Sequence, residues 1–283
     1  MADISPETVA QLREATNAGF LQCKKALVEA KGDFNLAVEI LRKKGAATAG
    51  LKAAREAREG VIVQHIQPGA RVGVLVEINC ETDFVARNEN FRAFGEEVAR
   101  TRAANPQADF EAARVAQVAK LGENIKLSRV TRMEVSGNGM VAAYIHTGAK
   151  VGVLVEVGAG KESTAAQDDF KQLVRDITLQ IAAASPLFVS RDQVPAAMLA
   201  KEREIAAAQV ANKPPQAIAK IVEGKLEKFF QTYCLVEQGF VKKNSEVSVK
   251  DHVATIAKQL GDDITLRRFV RFQVGEKVTE AAA

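Results

Sequence analysis

The segment RVGVLVEI at residues 71–78 returns as KVGVLVEV at 150–157, an offset of 79 residues. The match runs without a gap from Gly60/Gly139 through Gly69-Ala70/Gly148-Ala149 to Phe91/Phe170 and Val98/Ile177. A second pair, LGENIKLSR at 121–129 and LGDDITLRR at 260–268, is offset by 139. The difference between the offsets, 60 residues, is an insertion in the second half. Two independent pairs in the same order define one unit used twice, and this constrains the fold more than any single motif.

Each copy reads alike. A strand (61–66, 140–146), a Gly-containing turn and a second strand (71–78, 150–157) predict a hairpin rich in Val, Ile and Leu. A helix follows, with Phe91, Phe94 and Val98 as its apolar positions in one copy and Phe170, Leu173, Val174, Ile177 and Ile181 in the other. A second helix ends at Gly122 or Gly261, where the chain must turn with positive φ. A last strand, 125–134 or 264–274, closes the unit. The expected class is α+β, with helices packed on antiparallel sheets. The first core subdomain is placed at 60–138 and the second at 139–185 plus 231–275, with a tail at 276–283.

The insertion, 186–230, reads as two helices (about 192–211 and 216–230) around the breaker Asn212-Lys213-Pro214-Pro215. Met198, Ile205, Ile218, Val222 and Phe229 recur at heptad-like spacing, so an antiparallel coiled-coil hairpin is expected. It is either a local packing element or an arm through which the chain forms a homodimer. Residues 1–45 read as a separate three-helix module. Ser5-Pro6-Glu7 starts the first helix, which runs to about Asn17, and Phe20 to Lys31 form the second. Asp33 caps a third helix, striped by Leu36, Ala37, Ile40 and Leu41 and ending at Gly45. Ala46 to Glu59, rich in Ala, Lys and Arg, suits a solvated linker.

Composition removes several classes of function. No apolar run is long enough to span a bilayer, and the start MADISPETV lacks the charge and apolar core of a signal peptide. Three scattered cysteines, Cys23, Cys80 and Cys234, point to free thiols in a reducing compartment, so a cytoplasmic protein is expected. These cysteines and the three histidines (His65, His146, His252) lack metal-ligand spacing. GAGKES at 158–163 resembles the end of a phosphate-binding loop, but Glu162 stands where a hydroxyl is needed and Val155 where the first Gly belongs. Cys80 has no nearby histidine to activate it. Neither an enzyme nor a bound cofactor or metal is expected. The basic clusters Arg42-Lys43-Lys44 and Arg267-Arg268 lack interleaved aromatics and read as solvated faces. An RNA- or ribosome-associated protein using 42–58 is the alternative, and direct nucleic-acid contact is otherwise not expected.

The stretch Asn79-Cys80-Glu81-Thr82-Asp83-Phe84-Val85-Ala86-Arg87 remains, and the repeat serves as its control. The second copy keeps the scaffold aromatic (Phe91/Phe170) but has Glu162-Ser163 in place of Asp83-Phe84. The shared scaffold therefore does not require an aromatic here. Thr82 can cap the following helix, and Asp83 suits its dipole. These roles leave Phe84 over, either packed back locally or held out as an interface anchor, where its burial would be worth about 1.5–3 kcal/mol.

Several segments carry a resemblance. LREATNAGFLQCKKALVEAKGDFNLAVEILRKKGA, VEINCETDFVARNENF, VAKLGENIKLSRV, YIHTGAKVGVLVE, KIVEGKLEKFF and RRFVRFQVGE, in this order over nearly the whole chain, resemble the bacterial translation elongation factor Ts family. The resemblance implies a guanine-nucleotide exchange factor for elongation factor Tu that performs no covalent chemistry. It implies an N-terminal module similar to ubiquitin-associated domains, docking on the nucleotide domain of Tu through Arg13, Phe20, Leu21 and Lys24. Asp83 and Phe84, flanked by Thr82 and Val85, would disturb the Mg²⁺ and phosphate site of Tu. Leu121 and Gly122 would support that contact, and His146 would face Tu from the second subdomain. Two features depart from the family pattern. Phe20-Leu21 replaces the common Met-Met and Asn17 a common Gly, and a C-terminal helical module found in many members is expected to be missing.

Overall fold

Ser5 Oγ accepts the Thr8 N–H at 3.2 Å, Pro6 follows in the first turn, and helix α1 spans Pro6–Thr16. A computed structural model describes residues 4–16, 18–211 and 213–276. Asn17, Asn212 and the 277–283 end, on which parts of the reading above fall, lie outside them. Helices α2 (Phe20–Glu29) and α3 (Phe34–Lys52) follow, and the Asp33 carboxylate caps α3 by accepting the Leu36 N–H at 3.0 Å. Leu12, Cys23, Ala26, Leu27 and Ala37 close a small core among the three helices.

The sequence places a helix end at Gly45 and a solvated linker after it; the structure corrects this. α3 continues to Lys52 because Gly45 and Ala49 are buried against the core. A β-carbon at Gly45 would lie 3.6 Å from Val115 and 3.7 Å from Ala119, ordinary contact distance, so α3 is docked here on the helix that carries both, with room for nothing larger. Beyond α3, Lys52 Nζ donates to the Gly122 carbonyl, and Asn124 Nδ2 donates to the Arg55 carbonyl at 2.7 Å. The segment is fixed along its length.

The repeated apolar stretch is the middle strand of a three-stranded antiparallel sheet in each copy. In the first, β2 (Val72–Cys80) lies between β1 (Glu59–Ile66) and β3 (Lys126–Glu134). In the second, β5 (Val151–Ala159) lies between β4 (Gly139–Ile145) and β6 (Ile264–Gln273). The copies agree in detail: Ala70 and Ala149 take positive φ (52° and 56°) at the hairpin tips. The register slips at Glu77/Ile78 and again at Glu156/Val157. Helices α4 (Asp83–Ala86), α5 (Glu89–Ala104) and α6 (Glu111–Leu121) follow the first hairpin, and α7 (Glu162–Ala165) and α8 (Asp168–Ala184) the second.

Alternation along the strands sorts their side chains. Val61, Val63, Val74, Val76 and Ile78 face α5 with Phe91, Phe94 and Val98, while Val153, Val155 and Val157 face α8 with Phe170, Leu173 and Ile177. Ile62, Leu75, Val141, Leu154 and Phe272 point the other way and form a third core between the two sheets. The sheets thus pack face to face, with helices outside both. This explains why β2 and β5 are buried almost without interruption instead of alternating.

The central contacts across this joint come in mirror-image pairs. Ile62 N–H donates to the Ala149 carbonyl at 2.7 Å, and Val141 N–H, its repeat equivalent, to Ala70 at 2.8 Å. Buried Glu77 pairs with Arg129 (2.6 Å) and accepts the Gly275 N–H at 3.1 Å; buried Glu156 pairs with Arg268 (2.7 Å) and accepts the Ser136 N–H at 2.9 Å. Arg129 reaches the Gln273 carbonyl and Arg268 the Glu134 carbonyl, both at 2.9 Å. Such reciprocity is that of a two-fold dimer interface, here within one chain. It also corrects the reading of Arg267-Arg268 as a solvated face, since both side chains neutralise Glu156.

The insertion carries α9 (Ala196–Ala208) and α10 (Pro215–Tyr233), packed on each other, before α11 (Val249–Leu260) returns to the second unit. Among the described residues, Ala206 and Leu226 are the buried ones of the pair; Ile205, expected at the seam, is exposed. At the base, Phe188, Val194 and Cys234 pack with Met198 and Phe229. Arg191 there pairs with Glu227 and Glu237, both at 2.7 Å, and lies over the Phe230 ring. No described helix is long and apolar enough to cross a membrane.

Candidate partner-binding site

β2 ends at Cys80, fully buried, whose Sγ–H donates to the Thr82 carbonyl at 3.1 Å. Burial, and secondarily the Glu123 carboxylate, push this thiol up to about 12, so it stays protonated at neutral pH and is no nucleophile. Cys234, raised to about 11 chiefly by burial, is equally inert. Among the described residues no three His, Cys, Asp or Glu side chains converge as metal ligands. In the loop that resembled a phosphate-binding end, the Lys161 N–H is held by Asp262 at 2.9 Å, and its ammonium by the Gly261 carbonyl at 2.7 Å.

Thr82 adopts extended φ/ψ, and its hydroxyl accepts the Val85 N–H at 3.4 Å, starting the single turn α4. Asp83 lies in that turn and pairs with Arg87 at 2.9 Å, one turn on. Ala86 is buried and Val85 packs partly into the first core, so the inner side of the turn is anchored. Phe84 points outward, 82% exposed. Local packing therefore does not account for it. At the equivalent corner α7 exposes Ser163 and buries Thr164.

The loop after α6 closes the corner. Gly122 ends α6 in the left-handed region (φ 77°), which a residue with a β-carbon enters only at a cost. Leu121 packs into the first core, and the Gly122 carbonyl receives Lys52 of α3. The structure thus brings Thr82, Asp83, Phe84, Val85, Leu121 and Gly122 together. It places the other expected contact residues elsewhere. Arg13 is exposed on α1; Phe20, Leu21 and Lys24 are exposed along α2, joined by Val28, 59% exposed, which the sequence reading missed. Phe20, Lys24 and Val28 recur at steps of four residues, and that spacing was the available signal. His146 is exposed at the β4–β5 tip, with Nδ1 3.0 Å from the Tyr144 hydroxyl.

A family model described as Elongation factor TS matches residues 81–276, from the start of this corner to the end of the second sheet. The chain belongs to the elongation factor Ts family. It is 44% identical to Elongation factor Ts of Symbiobacterium thermophilum, over 98% of this chain and 94% of that one. It is 43% identical to that of Chloroherpeton thalassium, over 98% of this chain and the whole of the other. With Elongation factor Ts of Nautilia profundicola it shares 41% over its whole length and 96% of the relative. Membership of the elongation factor Ts family places the chain in the elongation stage of protein biosynthesis.

Proposed function

We propose that this chain is a guanine-nucleotide exchange factor that binds elongation factor Tu and promotes GDP release by disturbing its Mg²⁺ and phosphate site, without covalent chemistry of its own. The observation that carries this reading is Phe84, an exposed aromatic on a turn anchored from beneath, at a position where the other copy of the scaffold has serine. Beside it, Asp83 offers a carboxylate of the kind that competes for a cation or repels phosphate. Exchange follows by linkage. If the factor weakens GDP on Tu, GDP weakens the factor on Tu by the same ratio, and equal affinity for both states would shift nothing.

In this reading the three N-terminal helices are a ubiquitin-associated-like module that docks on Tu through Arg13, Phe20, Leu21 and Lys24. Leu121 and Gly122 back the corner, and His146 makes a second contact. The α9–α10 pair is an antiparallel coiled coil, which either braces the second unit or joins two copies of the chain. The site of action is the cytoplasm. Direct RNA binding through 42–58 has less support, because Lys43 and Lys44 are paired with Glu39 and Glu29. Stopped-flow release of fluorescent GDP from Tu tests the reading: Phe84→Ala should retain the fold and slow release. An unchanged rate would remove Phe84 from the mechanism.

A further inference from the structure

Glu123 follows the left-handed Gly122 and reaches back across the corner to the loop that precedes α4. Its Oε2 accepts two successive backbone N–H groups, those of Glu81 and Thr82, each at 3.0 Å. Its Oε1 accepts the Thr82 hydroxyl at 2.6 Å. The clasp is returned in the other direction: Glu81 Oε1 accepts the Asn124 N–H at 2.7 Å, and Arg55 lies 3.6 Å from the other oxygen of Glu81.

The Thr82 hydroxyl has one proton and must both donate and accept here. An ionised carboxylate can only accept, so Glu123 takes that proton and leaves a lone pair of the hydroxyl facing the Val85 N–H. One side chain therefore sets the last two backbone units before α4 and the polarity of its cap. α4 is a single turn with no helical length to hold its own direction, so its orientation is inherited from these bonds and from Val85 and Ala86 beneath. The second copy retains a shorter version: Asp262, at the Glu123 position, accepts only one of the two equivalent backbone N–H groups, that of Lys161. The corner without an exposed aromatic has the weaker clasp.

We propose that Glu123 is a positioning residue for nucleotide exchange: it fixes the angle at which α4 presents Asp83 and Phe84, and it acts on the partner only through them. The proposal rests on the reading of Phe84 given above. Binding energy from an anchor counts only when the anchor enters its target in one geometry. A loosened α4 would still reach the partner but insert Phe84 unproductively. The maximal rate of catalysed release then falls, while the concentration needed for half-saturation, set by the larger surface, stays nearly constant.

The test is a mutant cycle on fluorescent GDP release from elongation factor Tu over a range of concentrations of this chain, with folding checked by thermal melts. Glu123→Ala should lower the maximal rate about tenfold and change half-saturation by less than about twofold. Glu123→Asp, which shortens the side chain to that of Asp262, should fall between. In an Asp83→Ala/Phe84→Ala background, Glu123→Ala should cost less than about a further twofold, because both of its routes of action are gone. A full additional loss there would overturn the proposal, as would normal release by Glu123→Ala. Unimpaired Glu123→Ala beside impaired Phe84→Ala would sink the role of Glu123 alone; unimpaired Phe84→Ala would sink the underlying reading. If Glu123→Ala does not fold, Thr82→Val cuts the same link at nearly constant volume, and its cycle with Asp83→Ala/Phe84→Ala decides.

Discussion

The backbone N–H of Ile62 in the first sheet donates to the Ala149 carbonyl of the second at 2.7 Å. This bond and its mirror image hold two sheets so close that each has a glycine where a side chain would collide. A β-carbon on Gly73 would lie 2.6 Å from both Ile66 and Val141, and one on Gly152 would lie 2.4 Å from Ile62. Gly73→Ala and Gly152→Ala should each destabilise the chain by about 1–3 kcal/mol. The double variant should cost less than the sum, since sheets already parted by one methyl accommodate the second. Urea denaturation of all three variants measures this, and strict additivity would show that the two positions do not share one joint.

The buried Glu156 makes the same joint sensitive to acid. Burial pushes its carboxyl up, but the Ser136 N–H together with Arg267 and Arg268 outweighs burial and holds it below the ordinary carboxylate range. A carboxyl whose folded pKa lies below its unfolded one, about 4.3, stabilises fully above that value and loses its contribution as pH falls through the lowered one. Glu156→Gln should therefore cost about 1–3 kcal/mol at neutral pH. The gap from the parent should close on acidification below about pH 4. Denaturation midpoints for both proteins, taken stepwise to acid, give the result; a gap independent of pH would assign the loss to packing instead of charge.

Asp83 has a structural and a proposed functional role that a control can separate. Its ion pair with Arg87 is exposed and worth about 0.3–0.5 kcal/mol. Arg87→Ala removes the pair and spares the carboxylate, so stability should fall slightly and GDP release from Tu should remain near normal. Asp83→Asn loses the same pair and the charge as well. Its stability should fall by no more than about 1 kcal/mol, with release slowed several-fold. Equal slowing in both variants would mean that the ion pair, and not the free face of the carboxylate, matters for exchange.

Much of this was legible in the residues because the repeat fixed strand order and the polar caps announced the helix starts. Thr82, Asp33, Gly122 and Gly261 act as their types require. The packing of sheet on sheet was not legible: a run such as VGVLVEI reports burial on both faces without saying what covers the second. Glu123 was within reach, since Glu123 and Asp262 are both acidic at one repeat position, but acidity alone does not reveal three backbone and hydroxyl donors. Arg267-Arg268 looked like surface charge because their partner, Glu156, is distant in sequence and buried. Val28 was missed because a lone valine among Ala, Leu and Glu looks like core.

The extension of α3 through 46–52 was hidden for another reason: its contact face is built from small residues, so no apolar stripe marks it. That face makes opposite predictions for two glycines. Gly50 is exposed in the helix, and a β-carbon there meets nothing within 4 Å. Gly50→Ala should stabilise the protein by about 0.5–1 kcal/mol, through helix propensity and a less disordered unfolded chain. Gly45 faces Val115 and Ala119, where a β-carbon alone would fit at ordinary contact distance but a branched side chain would not. Gly45→Leu should destabilise by about 1–3 kcal/mol and speed tryptic cleavage at Lys52, Arg55 and Arg58 as α3 lifts from α6. A solvated linker would respond to neither substitution, so urea midpoints and a digestion time course distinguish a docked α3 from a tethered one.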